Sequence, residues 1–519
     1  MKIIKKQTHS MAAKCEAISQ ITFDEDMNVP DVKPDVGRMI QKKGEVQIDE
    51  MQITEGRVFI KGILAVHLLY VGDSQERRIH SLTGSIPIEE SLNLDGLENG
   101  DKVRLKWEIE DLSLSLINSR KLNVKTLLTF QAVVDDPVDL QLPIGLEEES
   151  ISQKKQNVNI MSLIIHKKDT LRLKEEITLA SNKPNIYEIL WHTIEVRGMD
   201  IRCTADHILV KGELFIFVLY SGNDENNSLQ WLEYSIPFSQ EVDCAGCTME
   251  MIPNIELSMQ QGDLKIKLDA DGEERMLGVE VVLELDIKVY DEEEISLLRD
   301  VYTPSKEYIP HCSTRILESL LVKNFSKCKV NDRVKVEEEQ GKILQICHSE
   351  GAVKVDDSQI VENGIQVEGI VQIRILYIVS DDEMPFYSMN AMIPFSHLIE
   401  APDIDEDCQY HLRTDLEQLS TTMIDSDEIE VKIVMNLNAL VVRQQSMEIM
   451  DDIEEQELDP EKINQMPGII GYMVQPEDTL WDIAKSFYTT IDTIKTLNNL
   501  ETEEIRPYDT LILMKKIEG

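Results

Sequence analysis

One pattern recurs three times in this chain and constrains its fold more than any other feature. The segments Val58–Tyr70, Ile208–Tyr220 and Ile365–Tyr377 each carry a Lys-Gly or Glu-Gly pair near the start and a Leu-Tyr pair at the end. Gly62, Gly212 and Gly369 stand eight residues before Tyr70, Tyr220 and Tyr377, and each tyrosine is followed seventeen residues on by Pro87, Pro237 or Pro394. Ile86, Ile236 and Ile393 precede those prolines. Two spacings kept in three copies mark internal repetition. A period of about 150 residues is too long for a solenoid and suits domains in series, each with its own core.

The copies read as β. Val279, Val281, Leu283, Leu285, Ile287 and Val289 alternate with mostly polar residues, Val431 to Ala439 repeats the alternation, and Val124 to Ala132 does so less cleanly. Period-two patterning buries one face of a strand and wets the other. The strand that carries the glycine is apolar on both faces, as a central strand is, and a glycine inside it suits a bulge or a close backbone approach. Gly72-Asp73 and Asp381-Asp382 read as turns. Ile186, Ile189 and Leu190, and Ile316, Leu317, Leu320 and Leu321, have helical spacing, so a small helical element is expected before each central strand. Residues 446–466 contain Asp451-Asp-Ile-Glu-Glu-Gln-Glu457 and Asp459-Pro460, and read as a self-repelling extended linker.

The final segment differs. Gly471–Tyr488, Ile494–Leu500 and Ile505–Leu513 resemble a LysM module, which implies strand, two short helices, strand. The expected fold is mainly β, with β-rich units over 8–148, 158–308 and 315–445, the acidic linker over 446–466, and a small α+β (βααβ) module over 467–516.

A formal charge of −44 repels phosphate backbones and anionic lipid, so nucleic acid is excluded as a partner and a basic protein surface is favoured. The basic start, Met1 to Ser10, is followed by no apolar stretch, and the longest apolar run, Leu214 to Tyr220, is too short to span a bilayer. The chain is therefore expected to stay in the compartment where it is made, without a transmembrane segment. Eight irregularly spaced cysteines suit reduced, buried thiols better than a disulfide framework.

The three units resemble SPOCS domains, a β-rich module of spore coat proteins in endospore-forming Firmicutes. Three SPOCS units followed by one LysM resemble the clostridial coat morphogenetic proteins that partner the stage IV sporulation protein A, an ATPase. The resemblance implies a scaffold in the mother-cell cytoplasm at the forespore outer surface. It would bind that ATPase and other coat proteins and anchor the coat.

LysM modules bind N-acetylglucosamine-containing glycan between two loops, which here carry Pro476, Glu477, Asp478, Thr479 and Leu480, and Ile505, Arg506, Pro507 and Tyr508. Trp481 and Asn498 complete the candidate contacts. The family's glycines are replaced by Glu477 and Tyr508, where glycine would permit positive φ and close ligand approach. Both replacements crowd a sugar groove and offer anchors to a protein partner. Leu480, Ile483, Ala484, Phe487, Ile494, Leu497 and Leu500 read as core, Asp478 as the cap of the first helix, Trp481 as either core or surface anchor, and Asn498 as a turn residue.

Other constellations carry less. Cys244-Ala-Gly-Cys247 has half the spacing of a zinc site and lacks the other half. The runs Asp24–Asp26, Asp291–Glu294 and Glu337–Glu339 lack the oxygen spacing of a calcium loop and read as solvated turns. His67 and His166 are isolated. No nucleotide-loop, zincin or nucleophile-elbow motif occurs. No cofactor or metal is expected. The leading expectation is a non-catalytic scaffold, the alternative a peptidoglycan- or cortex-binding protein, and the third a hydrolase hidden in the repeats.

Overall fold

The computed structural model describes residues 2–73, 78–148, 150–225, 227–336, 341–380, 385–458, 461 and 466–515. Asp381-Asp382, Glu337–Glu339 and Asp459-Pro460 lie outside these. Unit 1 comprises β1 (Ile3–Asn28), β2 (Val36–Thr54), β3 (Arg57–Gly72), β4 (Ile79–Asn93), β5 (Val103–Asn118) and β6 (Lys121–Leu146). Unit 2 comprises β7 (Ser152–Thr178), β8 (Ile186–Thr204), β9 (His207–Gly222), β10 (Leu229–Asp243), β11 (Ile252–Lys267) and β12 (Met276–Tyr302). Unit 3 comprises β13 (Lys306–Lys335), β14 (Ile343–Val361), β15 (Gly364–Val379), β16 (Phe386–Glu400), β17 (Cys408–Met423) and β18 (Glu428–Glu457). In unit 1 the sheets run β2-β3-β4 and β1-β6-β5, and units 2 and 3 repeat that order.

The glycine strands β3, β9 and β15 are central, as their two apolar faces require. In unit 1, Val58, Ile60, Leu64, Val66, Leu68 and Tyr70 point into a core shared with β6 residues such as Leu128 and Phe130. The opposite face, Leu69 and Val71, joins Phe217, Leu219 and Leu376 in one cluster contributed by all three units. The units therefore have their own cores but are not separate beads. Pro87, Pro237 and Pro394 sit on the outer strands β4, β10 and β16, where a missing N–H costs no ladder bond.

Irregularities repeat with the fold. Lys14, Ile164 and Leu321 are each the extra residue of a bulge in the first strand of their unit. Beyond these bulges the long pairs of first and last strands leave the unit cores and pack together through Leu142, Ile160, Leu297, Leu317 and Ile449. A bulge re-aims side chains, which is what this change of packing partner needs.

Two expectations fail. Ile186, Ile189 and Leu190 lie in β8, and Ile316 to Leu321 lie in β13, so no helix forms there. Bulges between Ile186 and Glu188, between Ile189 and Trp191, and at Leu321 break the period of two into helix-like intervals. The acidic stretch is likewise not an extended linker over 446–457. It is the far half of β18, paired with β13. Met447, Ile449, Met450 and Ile453 turn inward while Glu454 and Glu455 meet His311 and Lys306 outside. The runs Asp24–Asp26 and Asp291–Glu294 are also strand rather than turn, with Asp26 paired to Lys121 at 2.6 Å.

A chamber of about 1690 Å³, open to solvent, is lined by residues of all three units, among them Lys42, Glu195, Arg374 and Arg413. No helix among the described residues is long and apolar enough to cross a membrane.

Candidate functional site

The C-terminal module is β19 (Ile469–Met473), α1 (Leu480–Ser486), α2 (Ile491–Asn498) and β20 (Thr510–Met514), with β19 and β20 antiparallel. Leu480, Ile483, Ala484, Ile494, Leu511 and Leu513 form its core, with Phe487 and Leu500 packed against them. Leu497, expected in the core, is 36% exposed.

Asp478 does not cap α1. Thr479 does, its hydroxyl accepting from the Asp482 N–H at 3.2 Å. Asp478 is held one residue earlier because its carboxylate accepts from the Gln475 N–H and the Tyr472 hydroxyl, both at 2.7 Å. That bond raises the Tyr472 pKa, since ionising the phenol would put two anions side by side.

The candidate residues assemble into two matched turns. In Gln475-Pro-Glu-Asp478 the fourth N–H donates to the first carbonyl at 3.3 Å, and in Arg506-Pro-Tyr-Asp509 at 3.1 Å. Proline second and positive φ third are the signature of a type II turn. Glu477 has φ 74° and Tyr508 φ 75°, the conformation in which the family's glycines would be at ease. Each aspartate bonds back to the first N–H of its turn, Asp478 to Gln475 at 2.7 Å and Asp509 to Arg506 at 3.0 Å. Val474 ties the turns together, its N–H donating to Asp509 and its carbonyl accepting from Tyr508. A non-glycine residue in the left-handed region costs about 1–2 kcal/mol. Replacing Tyr508 with glycine recovers part of that against the extra chain entropy, so Tyr508→Gly is expected to stabilise the module by roughly 0.5–1 kcal/mol. Slower hydrogen exchange at β19 and β20 is the readout, and faster exchange would contradict the strain account.

Glu477, Arg506 and Pro507 are exposed and Tyr508 is 71% exposed, while Ile505 is half-buried beneath them. The remaining candidates serve the fold. Leu480 is core, and Asn498 pins α2 to β20 by accepting from the Ile512 N–H at 2.7 Å and donating to the Ile512 carbonyl at 2.8 Å. Trp481 is buried against Tyr302 of β12, edge to face with centroids 4.7 Å apart. Its indole N–H donates to Asp300 at 2.8 Å, and Lys485 donates to the other oxygen of Asp300 at 2.7 Å. The module is thus docked on unit 2 by one face of α1, with the two turns left open.

Asp300 and Tyr302 escaped sequence reasoning. A signal existed: the register positions matching Tyr302 are Glu147 in unit 1 and Glu454 in unit 3. An aromatic where two sister copies carry a carboxylate is a residue with a partner of its own.

Cys244 and Cys247 are buried next to Cys203, and burial raises all three thiols, that of Cys247 to about 11. The matching residues in unit 1, Leu94 and Leu97, are core leucines, so these thiols fill apolar positions. Among the described residues no cluster of three His, Cys, Asp or Glu side chains is arranged to hold a metal.

Comparison with known families matches this architecture. The SipL SPOCS-domain family matches residues 35–117, 185–267 and 342–424, and the LysM domain family matches 472–513. The three SPOCS matches each cover the four strands from β2 to β5 or their equivalents. A search of curated proteins found no match to the chain.

Proposed function

This chain belongs to the SipL family of spore coat proteins, with three SPOCS domains and a C-terminal LysM domain, and we propose that it is a coat morphogenetic scaffold whose LysM module recruits a protein partner. Both domain families are non-catalytic. The partner in this reading is the stage IV sporulation protein A ATPase, with other coat proteins engaging the SPOCS units, in the mother-cell cytoplasm at the forespore surface. One observation carries the reading. The module uses one face of α1 to dock on its own chain and leaves a rigid pair of turns presenting Arg506, Pro507 and Tyr508. A guanidinium and an aromatic ring on a strained, pre-ordered edge are the residue types that dominate protein interfaces. The fused units hold that edge at a set distance from the SPOCS surfaces, which favours simultaneous contacts with an assembled lattice.

The full-length chain with Tyr508→Ala or Arg506→Ala tests it. Each is expected to weaken binding to the purified ATPase about tenfold or more while the fold, followed by circular dichroism, is kept. Unchanged binding in both variants refutes the assignment.

The second reading is recognition of N-acetylglucosamine-containing glycan in cortex or peptidoglycan. The LysM match favours it, as does the exposed backbone of the two turns. Against it, Glu477 and Tyr508 replace the glycines that would open the groove. Pull-down with insoluble peptidoglycan separates the readings: capture of the wild-type chain, lost on Tyr508→Ala, would move the function to glycan.

A further inference from the structure

Between units 2 and 3, on the wall of the central chamber, lies a pocket of about 50 Å³. Lys323 and Asn324 of β13, His411 and Arg413 of β17, Asn254 of β11 and Asn438 of β18 supply its polar lining, and no carboxylate lines it. Ile201, Asn254, His411 and Arg413 also line the chamber, so the two spaces adjoin. The chain has 96 acidic side chains against 52 lysines and arginines. A pocket whose charged lining is all basic runs against that composition.

The repeat supplies an internal control. The extra residues of the bulges in β5 and β17 are Glu110 and Glu417, which aligns Arg104 and Lys106 of unit 1 with His411 and Arg413 of unit 3. In unit 1 those cations are answered. Arg104 meets Glu256 at 3.1 Å and Asp135 at 3.4 Å, and Lys106 meets Glu256 at 2.9 Å. In unit 3 neither Arg413, Lys323 nor His411 has an ion pair or hydrogen bond with any described residue. Asp415 and Asp200 reach Arg413 only through space, and Lys323 lies 5.1 Å from the Phe325 ring centre. Burial lowers the pKa of all three groups. Around Lys323, Cys203 acts against that lowering and Arg413 adds to it; around His411, Lys288 and Arg104 add to it while Glu256 and Asp135 oppose it from a distance. Clustered, partly desolvated cations with no carboxylate in contact are costly, and an anion relieves that cost.

We propose that Lys323, Arg413 and His411 form a binding site for a dianionic oxyanion of the phosphate type, free or as the terminal group of a small molecule whose body occupies the chamber. The pocket admits one such group. The cations of Lys323 and Arg413 match its charge, and Asn254 and Asn438 have amide donors to offer its remaining oxygens.

The test is calorimetric titration of the full-length chain with inorganic phosphate at constant ionic strength set with chloride. Saturable binding to the wild type is expected, weakened about tenfold or more by Lys323→Gln or Arg413→Gln. Asn254→Glu, which introduces a carboxylate into the lining, is expected to abolish binding, whereas Lys174→Gln on the outer face leaves it unchanged. In chloride alone, Lys323→Gln should melt no lower than wild type, because it removes repulsion, and phosphate should reverse the order. Methyl phosphate binding as tightly as phosphate identifies an esterified ligand, and phosphate binding alone a free ion. Absence of saturable binding of either, or binding as tight as wild type in both glutamine variants, overturns the proposal.

Discussion

Replacing Gly62 or Gly369 with alanine is expected to unfold the unit that contains it, at a cost of about 3–5 kcal/mol. A Cβ on Gly62 would sit well inside contact distance of the Gln47 carbonyl oxygen, and one on Gly369 of the Lys354 carbonyl oxygen. Both oxygens belong to backbone on the neighbouring strand, beside bulges whose extra residues are Asp49 and Asp356. Relief would require breaking the ladder. Gly212 is different. The atoms nearest its added Cβ are Met199 Sδ at 2.7 Å and the Phe238 ring at 2.8 Å, and side chains can give way. Gly212→Ala is therefore expected to cost only about 1 kcal/mol. Urea unfolding of the three variants measures the contrast. Equal losses in all three would show that the glycines matter for something other than strand approach.

The second large effect concerns docking. Tyr302→Glu, which gives unit 2 the residue of its sister copies, is expected to release the LysM module. Tyr302 is 4% exposed and closes over Trp481, so the change removes a buried aromatic contact and places a carboxylate beside Asp300. A loss of about 3 kcal/mol or more is expected. The module keeps its own core of Val474, Leu480, Ile483, Ile494 and Leu511, so it should leave its seat folded. Small-angle scattering should then show a larger radius of gyration, and proteolysis should open near residue 466. Trp481→Ala should do the same from the other side. A chain of unchanged dimensions in both variants would mean that other contacts hold the module.

Much of the architecture was legible from local pattern. The Gly-Tyr-Ile-Pro spacing marked the three copies, two-faced apolarity marked β3, β9 and β15 as central, and Glu477 and Tyr508 stood out as replacing glycines of the LysM pattern. Helical spacing before the central strands misled because bulges insert one residue and shift the period. Counting carboxylates misled over 446–457 because their charge is outward while Met447, Ile449 and Ile453 keep an inward register. Asp478 was read as a cap because cap preference is a property of residue type, whereas Asp478 and Thr479 are both good caps and only geometry separates them.

Periodicity and turn chemistry act over a few residues, so the sequence alone determined the strands, the repeat and the two proline turns. Contacts between units join residues hundreds of positions apart with no shared period. Only the tertiary structure decided that Leu69, Phe217 and Leu376 meet in one core, that Trp481 faces Asp300 and not a ligand, and that Lys323 and Arg413 lie together without a carboxylate. Each of those facts depends on which surfaces three similar units turn toward one another, and that choice is made by the summed burial of the whole assembly.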